Sequence, residues 1–166
     1  MAAVSVRLGG IGPHWTAACK QAVSDLNLLF RRRGIGVTLA LHGHGPVISV
    51  VTDPGIIGTA VHGRTHAETD GNGRLLRAEV RLPVKLTINT PGGVREAGLG
   101  MAEVVAAHEF VHALGHEPHN SHLMAQTMHK MMGDRAAGDK LQAGAAAMPP
   151  LQLSDQSVEI LKGIWG

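Results

Sequence analysis

Residues 100–114, GMAEVVAAHEFVHAL, constrain this 166-residue chain more than any other stretch. The segment has no proline, carries apolar residues at three- and four-residue spacing and stops at Gly115, which predicts a helix over 100–114. His108 and His112 lie one turn apart within it, so both imidazoles project from one face and can grip one metal ion. Glu109 is rotated by about 100° from His108, which lets its carboxylate reach a metal-bound water without becoming a ligand. Gly115 allows the chain to leave the helix in a left-handed turn and swing a third imidazole back to the same ion. His119 and His116 are both candidates for that third position, and His122 is a nearby competitor. Three protein ligands with an open fourth position are the catalytic zinc arrangement, whereas four close a structural site.

Chance accounts poorly for this pattern. A shuffled chain of this composition would contain some HExxH about 3% of the time, and requiring the glycine and the later histidine lowers that below ~0.1%. The competing reading is a histidine-rich helix face with no metal. His14, His42, His44, His62, His66 and His129 have no spacing that demands a metal and read as surface or loop residues.

The other elements follow from periodicity and punctuation. Residues 4–8 suit a short strand. From Pro13 to Arg33, Trp15, Ala18, Cys19, Ala22, Leu26, Leu29 and Phe30 share one face, Arg31 to Arg33 suit the negative helix end and Gly34 stops it. Strand-like runs cover Val37–Leu41, Val47–Thr52, Leu75–Leu82 and Val84–Asn89. Asp70-Gly71-Asn72-Gly73 signals a turn; a structural calcium loop is the sharper alternative, for which carboxylates are too few. Residues 125–150, rich in Ala, Gly and Met, suit a partly ordered surface loop with one helical turn. Ser154 can cap a last helix whose Val158, Leu161 and Trp165 form a stripe. The order predicts one α+β domain over residues 1–166.

Composition removes several classes. No apolar run approaches the ~18–20 residues of a membrane span. Net charge is +2, and with 2 Trp, 2 Phe and no Tyr there is neither a basic face nor a stacking platform for nucleic acid. The single cysteine, Cys19, excludes an intrachain disulfide and suits the core. The amino terminus lacks a basic segment followed by about 7–15 apolar residues, so no secretory signal is expected, whether the protein is cytoplasmic as written or a trimmed secreted domain.

HEFVHALG followed by His119, with Leu123-Met124 shortly after, resembles the metzincin metallopeptidases, most closely the matrixin-like branch. The early Trp of the first helix and the closing LQLSDQSVEILKGIWG are also similar to that family. The resemblance implies a metzincin-like zincin fold, with a twisted mixed sheet, an N-terminal backing helix, a zinc-binding active-site helix and a C-terminal helix. It divides the chain into an upper part, 1–115, and a lower part, 116–166, with a Met-turn and specificity loop. It implies one catalytic Zn2+ held by His108, His112 and His119, Glu109 as general base, and Met124 as the Met-turn residue beneath the metal. The family spacing would put the third histidine at 118, which is Pro118 here, so His119 requires one extra loop residue and His116 stays in contention. Met128, Met131 and Met132 are further Met-turn candidates. The resemblance also offers His62 and His66 as part of a secondary zinc site of the matrixin kind, though the surrounding pattern is not reproduced.

The activity so implied is peptide-bond hydrolysis by a zinc-activated water. Glu109 takes the water proton and delivers it to the leaving amine. A peptide or protein substrate is expected to lie extended along a sheet edge, one of the strands between 75 and 89. With no pro-segment before the domain, the chain is expected to be active as written, as a monomer, without nucleic-acid or membrane partners. Two alternatives stay open. A gluzincin-type peptidase would take a downstream Glu, for which only Glu159 is available, and a non-catalytic zinc-binding protein would not need Glu109.

Overall fold

The computed structural model describes residues 1–58, 62–126 and 150–166. Strand β1 (Ala2–Leu8) is followed by helix α1 (Gly12–Arg33), then β2 (Val37–Leu41), β3 (Val47–Asp53), β4 (Arg64–Thr69) and β5 (Leu75–Pro83). These five strands form one mixed sheet in the order β2-β1-β3-β5-β4, parallel throughout except for the antiparallel pair β4–β5. A separate hairpin, β6 (Thr87–Thr90) and β7 (Gly93–Glu96), leads into α2 (Leu99–Ala113), and α3 (Asp155–Trp165) closes the chain. The described residues are thus α+β, with a five-stranded mixed sheet and three helices. No described helix is long and apolar enough to cross a membrane.

Each helix forms for a legible reason. Pro13 in the first turn of α1 is pre-set for helical φ, and Gly34 at φ 67° receives the chain in the left-handed region that ends it. Its buried stripe runs through Trp15, Ala18, Cys19, Ala22, Val23, Leu26 and Phe30. Helix α2 is apolar on almost every side and accordingly central, packing against α1, β4 and β5. In α3 the Ser154 side chain accepts from the Ser157 N–H, an N-cap worth about 1 kcal/mol.

Side chains tie the outlying elements down. The Asn27 amide donates to the Leu39 carbonyl and accepts from the Leu39 N–H, both at 2.8 Å, which covers the free edge of β2. Trp15 Nε1 donates to the Pro83 carbonyl at 2.7 Å and anchors the end of β5 to α1. Trp165 Nε1 donates to the Leu114 carbonyl at 2.8 Å, joining α3 to the end of α2. One hydrophobic cluster runs continuously from Val4 to Trp165, so α3 shares the core of the sheet and the first two helices.

The sheet departs from the sequence expectation in two places. Strand β4 was not anticipated, and it, not β5, is the edge beside α2; β5 lies between β3 and β4 with both edges paired. The apolar pattern of 84–89 belongs to the β6–β7 hairpin outside the main sheet. Asp70–Gly73 is a turn. Asp70 Oδ1 accepts from the Asn72 and Arg74 N–H groups at 2.8 and 3.0 Å, so the carboxylate serves the backbone. Most of the expected 125–150 loop, with Met128, His129, Met131 and Met132, lies outside the described residues.

Candidate metal centre

Helix α2 presents His108 and His112 side by side, and the left-handed turn at Gly115 (φ 106°) redirects the chain beneath them. His119 comes back to the pair, and one donor nitrogen from each of the three histidines lies within 4.8 Å of the others. The separations are 3.0 Å between the Nε2 atoms of His108 and His112 and 3.1 Å between those of His112 and His119. Three nitrogens around a tetrahedral ion at ~2.0–2.1 Å stand roughly 3.3 Å apart, within a few tenths of an ångström of this arrangement.

His108 Nδ1 lies 2.7 Å from the Leu123 carbonyl, and His112 Nδ1 lies 2.6 Å from the His116 carbonyl. A carbonyl only accepts, so both Nδ1 atoms carry the proton, and the neutral rings point bare Nε2 lone pairs at each other. Two lone pairs at 3.0 Å repel unless a cation lies between them. Nδ1 held by a main-chain acceptor with Nε2 free is also how metal-bound histidines are oriented. Burial pushes the His108 imidazole down to about 4, and burial also lowers His112, which favours the neutral, ligating form. The group can therefore hold a metal ion.

His116 has a different task. It is completely buried, and its Nε2 lies 2.8 Å from Ser157 Oγ on α3. Ser157 Oγ also receives an N–H from Asn120 at 2.9 Å. The third imidazole is thus His119. The His116 side chain braces the loop to α3 while its carbonyl holds His112. Glu159, the ligand required by the gluzincin alternative, is exposed on α3 and outside the histidine group. Among the described residues no second group of three potential metal ligands occurs, so His62 and His66 do not complete one.

Glu109 is 6% exposed, and its carboxylate faces β4. Thr65 Oγ1 donates to Glu109 Oε2 at 2.5 Å. Burial raises the Glu109 pKa, and the Thr65 hydrogen bond opposes that rise. A Cβ at Gly63 would sit 2.9 Å from Glu109 Cγ and 3.0 Å from Oε1, so glycine gives the carboxyl its room. Met124 is fully buried in a turn in which the Ala125 N–H donates to the His122 carbonyl and the Asn120 N–H to that of Met124. The preceding residue, Leu123, supplies the carbonyl on His108.

These groups open into a cleft of about 590 Å³, lined on one side by His62 to Ala67 and on the other by Glu117, His119 and Gln126. His62, read from sequence as a surface or loop residue, lines this cleft, and burial lowers its pKa. Sequence reasoning missed Thr65, on β4, and Gly63, just before it; both flank Glu109, and the polar composition of the strand gave no signal. Compared with known proteins, the sequence matches no family model and no curated relative.

Proposed function

We propose that this chain is a zinc-dependent endopeptidase of the metzincin type, matrixin-like, comprising a single catalytic domain. The observation that carries the reading is a three-imidazole grip with a buried carboxylate on the next residue, both opening on one cleft. The donor set suits zinc, since three neutral imidazoles without thiolate or additional carboxylate are a common catalytic zinc site. Bound there by His108, His112 and His119, zinc would supply a Lewis acid and an acidified water.

The protein's own groups perform the remaining work. Glu109 Oε2 is occupied by Thr65, which leaves Oε1 to take a proton from the attacking water and pass it to the departing amine. Leu123 and His116 hold the His108 and His112 rings through their carbonyls. Strand β4 pairs with β5 along one edge, and its other edge has no strand partner among the described residues. An extended substrate can add there as a further strand, with its scissile bond over the histidines. In this reading Met124 is the Met-turn residue, and Glu117, His119 and Gln126 line the lower side of the cleft.

Mass-spectrometric cleavage profiling of a diverse peptide mixture tests the proposal. The zinc-loaded wild type should cut, and both Glu109→Ala and a zinc chelator should abolish cutting. Tight binding of one zinc with no cleavage by either protein would replace this reading with a non-catalytic zinc-binding one.

A further inference from the structure

Along β4, alternate residues face opposite ways, and Thr65 and Ala67 are half-buried while Arg64, His66 and Glu68 are exposed. Thr65 therefore faces α2, where its hydroxyl meets Glu109 twice, at Oε2 (2.5 Å) and at the main-chain carbonyl (3.3 Å). The hydroxyl has one proton, and the shorter contact to a charged acceptor is the stronger. A glutamate side chain has three rotatable bonds, and among the described residues no hydrogen bond other than that from Thr65 holds this carboxylate. The Gly63 backbone passes so close that Glu109 Cγ and Oε1 occupy the volume an alanine methyl would need. Strand β4 thus supplies a hydrogen bond, and the residue just before it supplies a wall.

We infer that Thr65 is a positioning residue for Glu109, holding Oε2 so that Oε1 is turned into the cleft, and that Gly63 is required for the same placement. The inference deepens the peptidase reading and rests on it. It assigns Thr65 no contact with substrate or metal. Proton transfer needs the base within hydrogen-bond reach of the attacking water, and a misplacement of about 1 Å can cost on the order of a hundredfold in rate.

The test compares Thr65→Val, which keeps shape and suits a strand, with Thr65→Ser, which keeps the hydroxyl. In the zinc-loaded chain Thr65→Val should lower kcat by roughly ten- to a hundredfold while KM and zinc affinity stay within about twofold. Thr65→Ser should bring the rate back to within about threefold. Gly63→Ala should lose rate in the same way with zinc still bound. Thermal unfolding of the full chain supplies a readout that does not depend on cleavage. The destabilisation from Thr65→Val should shrink in a Glu109→Ala background because the partner is gone. Equal destabilisation in both backgrounds, or a Thr65→Val enzyme with wild-type kcat, overturns the positioning role alone. A wild type that cuts nothing while the unfolding cycle still couples the two residues overturns the peptidase reading, and with it the catalytic use of the contact.

Discussion

Alanine substitutions at His116 and His119 should separate bracing from ligation. The His116 side chain is fully buried, so its removal leaves a cavity and takes one partner from Ser157. Ser157 Oγ keeps Asn120 and Ser154, which limits the polar part of the loss. The expected destabilisation is about 2–4 kcal/mol, or roughly 5–15 °C in Tm for a chain of this size. The His116 group that orients His112 is a main-chain carbonyl, which alanine retains, so zinc affinity should fall by less than about tenfold. His119 is exposed, and its replacement should change the stability of the metal-free protein by no more than about 0.5 kcal/mol. A four-ligand zinc site is worth roughly 10–16 kcal/mol, so one ligand corresponds to about 2.5–4 kcal/mol and on the order of a hundredfold or more in affinity. Competition with a chromogenic chelator gives the affinities, and calorimetry without zinc gives the stabilities. A hundredfold loss of zinc affinity in His116→Ala with none in His119→Ala would refute the assignment of the third imidazole.

Three further outcomes are expected. Gly115→Ala places a methyl at φ 106°, 2.8 Å from Ile164 Cδ1 and 3.2 Å from the Gly73 carbonyl, and should cost about 1–3 kcal/mol in denaturant unfolding while weakening zinc binding. Trp165→Phe removes the donor to the Leu114 carbonyl and should cost about 1–3 kcal/mol by the same measurement. Burial, with Asp25 alongside, raises the Glu103 carboxyl to about 8. Its folded pKa then exceeds the unfolded one, so its contribution is full below about pH 4.5 and is lost as pH rises through 8. Glu103→Gln should accordingly flatten the decline in stability between about pH 5 and pH 9, and an unchanged slope would contradict the protonated carboxyl.

Elements whose signal is local could be read from the chain. The α1 stripe from Trp15 to Phe30, the glycine stop at Gly34 and the Ser154 cap all lie where periodicity and capping chemistry put them. Strand β4 escaped because only Thr65 and Ala67 face inward, and neither supplies the large apolar alternation that marks a strand. The run at 84–89 misled for the opposite reason. Leu86 is buried and Ile88 half-buried, yet β5 ends at Pro83 and the chain turns at Pro91 to pair β6 with β7 in a short hairpin of its own. His108, Glu109 and His112 were legible because helical spacing alone sets their directions. The choice between His116 and His119 was not, because it depends on the φ of Gly115 and on Ser157, 41 residues away from His116. The contact of Thr65 with Glu109 spans 44 residues and leaves no mark in the local pattern.

Zinc-edge X-ray absorption on the loaded protein counts the imidazoles that hold the ion. Three imidazole nitrogens at ~2.0–2.1 Å and one light-atom ligand are expected, with one imidazole lost in His119→Ala and none in His116→Ala. Four imidazoles, or an imidazole count unchanged by His119→Ala, would contradict an open three-histidine site.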